Sequence, residues 1–157
     1  MIRIREVWIS EGGLGIIEED KKEWCSKGLE TGGYLFGKLY SNGIADVTCV
    51  SYGGPNASRA HISYSGDNVY ATRLQEELQT QDPEVVLLGE YHVHPWYGQA
   101  NLSSGDIRQL VECKKKREWF FVFLNTLNDR AIWDVEFNPL NGNYEPKQLS
   151  LIIKYYG

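Results

Sequence analysis

Glu90-Tyr91-His92-Val93-His94-Pro95, followed after a short loop by Leu102-Ser103-Ser104-Gly105-Asp106, is the stretch on which the reading of this chain turns. Two of the chain's 3 histidines stand one residue apart here, at the end of the apolar run Val85-Val86-Leu87-Leu88. If that run is a buried strand continuing through His94, its period of two puts His92 and His94 on one face, Cα atoms about 7 Å apart, with Glu90 beside them. Two imidazoles at that separation can share one ion. Pro95 lacks a backbone N–H and ends the pairing, so the chain turns away through Trp96-Tyr97-Gly98-Gln99-Ala100-Asn101 until a helix opens near Ser103. Asp106 then falls in that helix's first turn. Two histidines and one carboxylate leave a tetrahedral position open, the pattern of catalytic zinc, although the same donors also suit non-haem iron. Without a metal, Ser103-Ser104-Gly105-Asp106 reads equally as a capping box, with Ser103 at the N-cap and Asp106 at N3.

The combination resembles the JAMM (MPN-plus, or JAB-domain) metalloprotease family, whose signature is a distant Glu, then H-x-H-P, a loop, and S-x-x-D. The matching residues are Glu30 in Glu30-Thr31-Gly32-Gly33-Tyr34-Leu35-Phe36-Gly37, then His92-Val93-His94-Pro95, then Ser103-Ser104-Gly105-Asp106. The loop between His94 and Asp106 carries one residue more than the family pattern. Val93 stands where the family often has Ser or Thr; its side chain should point away from the ion. The resemblance implies one Zn2+ held by His92, His94 and Asp106, Glu30 as general base and then acid, and Ser103 helping to stabilise a tetrahedral oxyanion. It also implies a cytidine-deaminase-like fold. The chain looks most like stand-alone prokaryotic deubiquitinase-like members that accompany ubiquitin-like conjugation enzymes, some of them in antiphage defence operons.

Other residues near this stretch have two readings each. Glu30 by itself is a surface acid before a Gly-Gly turn. Glu90 either orients a ligand imidazole from behind or is a surface carboxylate. Trp96 and Tyr97 on the lengthened loop either contact substrate or merely pin the loop. The strand edge near Gly32-Gly33 is a candidate to accept an extended peptide by β-addition.

At 157 residues the chain is long enough for one domain and short for two. A hydrophobic content of 42%, with 13% aromatic, is that of a globular protein. No apolar run is long enough to span a membrane, and Met1-Ile2-Arg3-Ile4-Arg5 lacks the apolar core of a signal peptide, so a cytoplasmic location is expected. Cys25, Cys49 and Cys113 are far apart and odd in number, which fits reduced thiols better than a disulfide framework. No motif supports a nucleophilic pair of Cys with His61 or His92. The formal charge of −5 argues against a general nucleic-acid binder. The basic cluster Lys114-Lys115-Lys116-Arg117 suits a helix C-terminus, where cations meet the negative end of the dipole.

The remaining elements alternate in an α/β (α+β) order. Arg5–Ser10 is predicted as a strand, and Leu14, Ile17, Trp24 and Cys25 mark the inner face of a helix stopped by Gly28, with Glu18–Glu23 as its wet side. Tyr34–Leu39 and Ile44–Val50 form a hairpin across Ser41-Asn42-Gly43. His61–Tyr64 is a short strand, and Asp67 caps a second helix built on Tyr70, Leu74 and Leu78 and ended by Asp82-Pro83. The third helix turns Ile107, Leu110 and Val111 inward. Trp119–Leu124 is a central strand, Ala131–Phe137 a half-exposed one, and Leu149–Tyr156 the last. A mixed, curved sheet with flanking helices accommodates this order.

Three functions follow. The first is a zinc isopeptidase or peptidase that cleaves after the C-terminal glycine of a ubiquitin-like protein, with the conjugates and cognate E1/E2-like enzymes as partners. The second is a zinc peptidase on another peptide, such as a cell-wall or phage-associated one. The third, a metal-free MPN-type scaffold, is weakest because the full residue set is present. A DNA-associated role is disfavoured by the charge, and no membrane partner is expected.

Overall fold

Serine and aspartate caps punctuate the chain into three helices among its strands, in a computed structural model that describes residues 2–155. Tyr156, the end of the last predicted strand, lies outside the described residues. Strand β1 (Glu6–Ser10) runs directly into α1 (Glu11–Cys25), because the Ser10 side chain accepts from Gly13 N as the N-cap. The helix ends where sequence places its stop: Gly28 adopts φ +72° and its N–H returns to Cys25 O. Next come β2 (Thr31–Leu39), β3 (Ile44–Tyr52), a small ribbon of β4 (Ser58–Arg59) and β5 (Tyr64–Ser65), and α2 (Asn68–Gln81), capped by Asp67. Then follow β6 (Val86–Val93), α3 (Ser104–Lys116), β7 (Phe121–Asn125), β8 (Arg130–Asn138) and β9 (Asn143–Lys154).

The sheet order is β1-β3-β2-β6-β7-β8-β9, and it closes. The mixed, curved sheet of a cytidine-deaminase-like fold, expected from the sequence and its family resemblance, is therefore corrected to a closed barrel with three helices. The short strand β1 pairs in parallel with β3 on one side and with β9 on the other, Val7 facing Ala45 and Leu151. Closure satisfies edge N–H and C=O groups that would otherwise be open to pairing with another chain. The small β4–β5 ribbon stands apart from the barrel.

Two apolar layers fill the two faces. Helix α1 places Ile17 on a cluster with Ile9, Leu35, Tyr91, Val93 and Phe123, whereas α2 and α3 bring Ala71 and Leu110 onto Tyr34, Phe36, Leu87 and Val122 on the opposite face. Fully burying each such large side chain is worth about 1.5–3 kcal/mol. The register of β2 against β6 slips at Leu88, between the pairs Leu35 with Gly89 and Phe36 with Leu87. That bulge shifts the alternation by one. Leu88, Tyr91 and Val93 consequently join the α1 layer, and Glu90 and His92 are delivered to the opposite face.

Several expectations change in three dimensions. Gly32 and Gly33 are not a turn; β2 already begins at Thr31, and Gly33 pairs with Tyr52 on one side and Tyr91 on the other. At Gly33 both neighbours are in place, so no edge is open there for β-addition. The polar Glu18–Glu23 run is not wholly wet, since Asp20 is only 1% exposed. The short strand predicted at His61–Tyr64 is displaced to Tyr64–Ser65, leaving His61 exposed in a bend with Nδ1 2.8 Å from Gly28 O. Strand β8 is more buried than an alternating strand should be. Val135 packs in the helical layer and Lys114 covers Asp134 at 2.8 Å, so both faces are occupied.

Candidate metal centre

Four polar side chains from three elements meet at the C-terminal end of β6. His92 is the penultimate residue of the strand, and His94 extends its pairing by donating its N–H to Asn125 O at 2.8 Å. Glu30 lies just before β2, fixed by its own N–H donating to Ala60 O at 2.8 Å. Asp106 arrives on the first turn of α3. There the capping box forms as the sequence suggests: Asp106 N donates to Ser103 Oγ at 3.1 Å, and Ser103 N donates to Asp106 Oδ2 at 2.9 Å.

The distances are short throughout. His92 Nδ1 lies 3.1 Å from Asp106 Oδ1, His94 Nε2 lies 3.5 Å from Asp106 Oδ2, and Glu30 Oε1 is 2.7 Å from His92 Nε2 and 3.6 Å from His94 Nε2. Ligand atoms of Glu30, His92 and His94 all fall within 4.8 Å of one another, a separation one cation can bridge. All four residues are buried: Glu30 2%, His92 6%, His94 5% and Asp106 8% exposed.

Electrostatically the cluster lacks a cation. No Lys or Arg pairs with Glu30, Glu90 or Asp106 among the described residues, although buried carboxylates normally pair or bind metal. In its place the His92 imidazole takes up positive charge. Burial alone would lower its pKa, but the carboxylates of Asp106 and Glu30 beside it outweigh burial and raise it to about 9. Burial opposes ionisation of Asp106 too, yet His92 and His94 hold its carboxyl well below the usual range. Glu90 has no such partner, and burial pushes it up to about 7 against the pull of His92.

His92 Nε2 tests whether a metal fits. It is buried without a hydrogen-bond partner, although Glu30 Oε1 lies 2.7 Å away. An orphaned imidazole nitrogen facing the Glu30 carboxylate, with a ligand atom of His94 in the same 4.8 Å group, is a donor set that suits a divalent cation. Asp106 meets the other ring nitrogen, Nδ1, and lies outside that group.

The neighbouring candidates separate. Glu90 is buried but bonds no imidazole; its oxygen accepts from Gln109 Nε2 at 3.3 Å. Trp96 lines the cleft and lies 4.5 Å, ring to ring, from His94. Tyr97 is 75% exposed and does not line it. Ile62, Ser63 and Tyr64, from the β4–β5 ribbon and its connection, also line the cleft, with Tyr64 tilted 5.5 Å from the His92 ring. Sequence reasoning missed this wall, and nothing in its composition marks it. It also missed Asp20, which had a signal: Gly13, Ile17 and Asp20 follow the helical spacing of a buried stripe.

Comparison with known proteins bears on the chemistry in one case and on the fold in the other. No family model matches the chain. A protein of Sinorhizobium fredii named "Probable metalloprotease y4qB" is 27% identical over 101 residues, which cover 64% of this chain. The aligned region spans 57% of that relative's own length. The solution structure of protein DSY2949 from Desulfitobacterium hafniense superposes with a TM-score of 0.63 at 14% identity, covering 96% of this chain and 94% of that one. That second likeness concerns the fold alone.

Proposed function

We propose that the chain is a zinc-dependent peptidase of the JAMM type, acting after the C-terminal glycine of a ubiquitin-like protein in a conjugate or precursor. The observation that carries the metallopeptidase reading is the buried convergence of His92, His94, Glu30 and Asp106, with no Lys or Arg and with His92 Nε2 orphaned. The distant likeness to a named metalloprotease supports the reaction class. The ubiquitin-like substrate rests on the motif resemblance of Glu30, His92-Val93-His94-Pro95 and Ser103–Asp106, and so do cognate E1/E2-like partners and a place in antiphage defence.

In this reading His92, His94 and Asp106 hold the ion, which supplies Lewis acidity toward a carbonyl oxygen and toward water. The Glu30 side chain forms no hydrogen bond among the described residues and only approaches His92 Nε2 and His94 Nε2, so its carboxylate is free to take a proton from the attacking water and return it to the leaving amine. Ser103 serves two ends at once. Its oxygen accepts from Asp106 N, while its own hydroxyl proton remains available to donate to the oxyanion from the cleft wall. Trp96 and Ile62 both line a cleft of about 230 Å³, which in this reading takes a narrow segment of peptide.

The test is a panel of ubiquitin-like proteins fused through their terminal glycine to a reporter, run with and without chelator. Chelator-sensitive cleavage after the glycine is the expected result. A folded, zinc-loaded protein that cuts none of them would return the substrate to other peptides, the second reading of the sequence.

Zinc loading should also depend on pH in a defined direction. A ligand nitrogen must be unprotonated to bind, and His92 in the metal-free protein is held up to about 9. Apparent zinc affinity should therefore fall about tenfold per pH unit from pH ~8 to ~6, as one proton must be displaced, and level off above ~9. Competition titrations with a chromophoric chelator measure it; a flat profile over that window would show that His92 carries no proton to displace.

A further inference from the structure

On the reverse side of β2 and β6 from the candidate centre, a hydrogen-bonded chain runs through buried side chains. Asp20 Oδ2, on α1, accepts from Thr31 Oγ1 at 2.8 Å and from Tyr91 OH at 2.8 Å. Thr31 is the residue after Glu30, and Tyr91 the residue before His92. Thr31 Oγ1 in turn accepts from Arg59 Nε at 2.9 Å, and the Arg59 guanidinium lies 4.2 Å from the Trp24 ring centroid. Asp20, Thr31 and Tyr91 are each at most 1% exposed.

A buried carboxylate is costly unless bonded, so this position would be cheaper to fill with an apolar residue if packing were its sole task. Its two bonds fall instead on the neighbours of the two residues whose side chains approach to 2.7 Å. In a strand each residue's side chain projects opposite to the next, so fixing Tyr91 from behind fixes the tilt at which His92 emerges in front. Fixing Thr31, the first residue of β2, fixes the strand end from which the adjacent Glu30 extends. Arg59 carries the same tie into the ribbon. It sits on β4, whose connection to β5 bears Ile62 and Ser63 of the cleft wall, and Ala60 O beside it accepts from Glu30 N.

We propose that Asp20 is a positioning residue that holds Glu30 and His92 in register through Thr31 and Tyr91, and that Arg59 extends this brace to the ribbon wall of the cleft. The role in turnover rests on the peptidase reading; the role in holding the ligand set does not.

The experiment compares the zinc-loaded full chain with Thr31→Val, Asp20→Ala, Asp20→Asn and Arg59→Gln, after circular dichroism confirms folding. Zinc affinity is read by chelator competition without substrate, and kcat and KM on whichever glycine-linked reporter is cleaved. Thr31→Val keeps the side chain's volume and should fold even if Asp20→Ala does not. Thr31→Val and Asp20→Ala should each lower zinc affinity or kcat by about tenfold or more. Asp20→Asn, which keeps one oxygen able to accept both hydroxyls, should recover most of that loss. Arg59→Gln should raise KM more than it lowers kcat and leave zinc affinity within about twofold, because it ties the wall and not the ligands. Folded variants with lower Tm alone, and with zinc affinity, kcat and KM all near wild type, would overturn the proposal. If no reporter is cut but Thr31→Val still weakens zinc, the brace stands and the substrate reading fails.

Discussion

His92→Ala should abolish high-affinity zinc binding and with it all measurable turnover, whereas Glu30→Gln should keep the zinc and lose the turnover. The two residues touch, with Nε2 and Oε1 2.7 Å apart, and both are buried, so geometry alone does not divide their roles. The division comes from what else each can do. His92 carries the orphaned nitrogen and a bond to Asp106 on the other side of its ring, so removing it deletes one donor and frees a buried carboxylate. Losing one of three ligands from a site of this kind costs most of the binding free energy. Glu30→Gln preserves shape and burial but cannot accept and return a proton, and loss of a general base typically costs about 10²–10⁴ in rate. Asp106→Asn completes the set, because it should lose zinc as His92→Ala does. Metal content by mass spectrometry and kcat on a cleaved reporter decide the matter. If Glu30→Gln lost the metal and Asp106→Asn kept it, Glu30 would be the third ligand, the arrangement that the 4.8 Å grouping of Glu30, His92 and His94 also permits.

The local pieces of this site were legible in sequence because each is set by short-range rules. The spacing of His92 and His94 fixes a common face, Pro95 ends the strand, and Ser103 with Asp106 forms the cap that brings the carboxylate in. Glu30 was legible only through the motif resemblance. Its burial depends on the pairing of β2 with β6, a contact across sixty residues of chain that no local pattern encodes. Asp20 continues the stripe of Gly13 and Ile17, but its charged neighbours in Glu18–Glu23 masked that spacing, and what makes its burial tolerable, the bonds from Thr31 and Tyr91, comes from distant strands. Closure of the barrel was equally out of reach. It depends on β1 and β9 meeting from opposite ends of the chain, and each strand's sequence would look the same if its edge were free.

Gly33→Ala should destabilise the fold severely, by about 3 kcal/mol or more, and remove the candidate centre along with it. Sequence makes Gly32-Gly33 look like a turn, where an added methyl costs little. In the sheet the reason for glycine is close approach: a Cβ on Gly33 would lie 2.0 Å from Ser51 O and 2.5 Å from Tyr91 Cε1. The first of these is backbone on β3 and cannot rotate away, and the second belongs to the ring whose hydroxyl is bonded to Asp20. Relief therefore requires β2 to separate from β3 or Tyr91 to leave its place, and either movement shifts the strand ends that carry Glu30 and His92. Gly15→Ala is the matched control, because nothing lies within 4 Å of a Cβ there and its helical setting favours alanine. Thermal unfolding of both variants gives the answer: Gly15→Ala should equal or exceed the wild-type Tm, and a Gly33→Ala protein that matched it would show that the β2–β3–β6 packing is looser than these distances require.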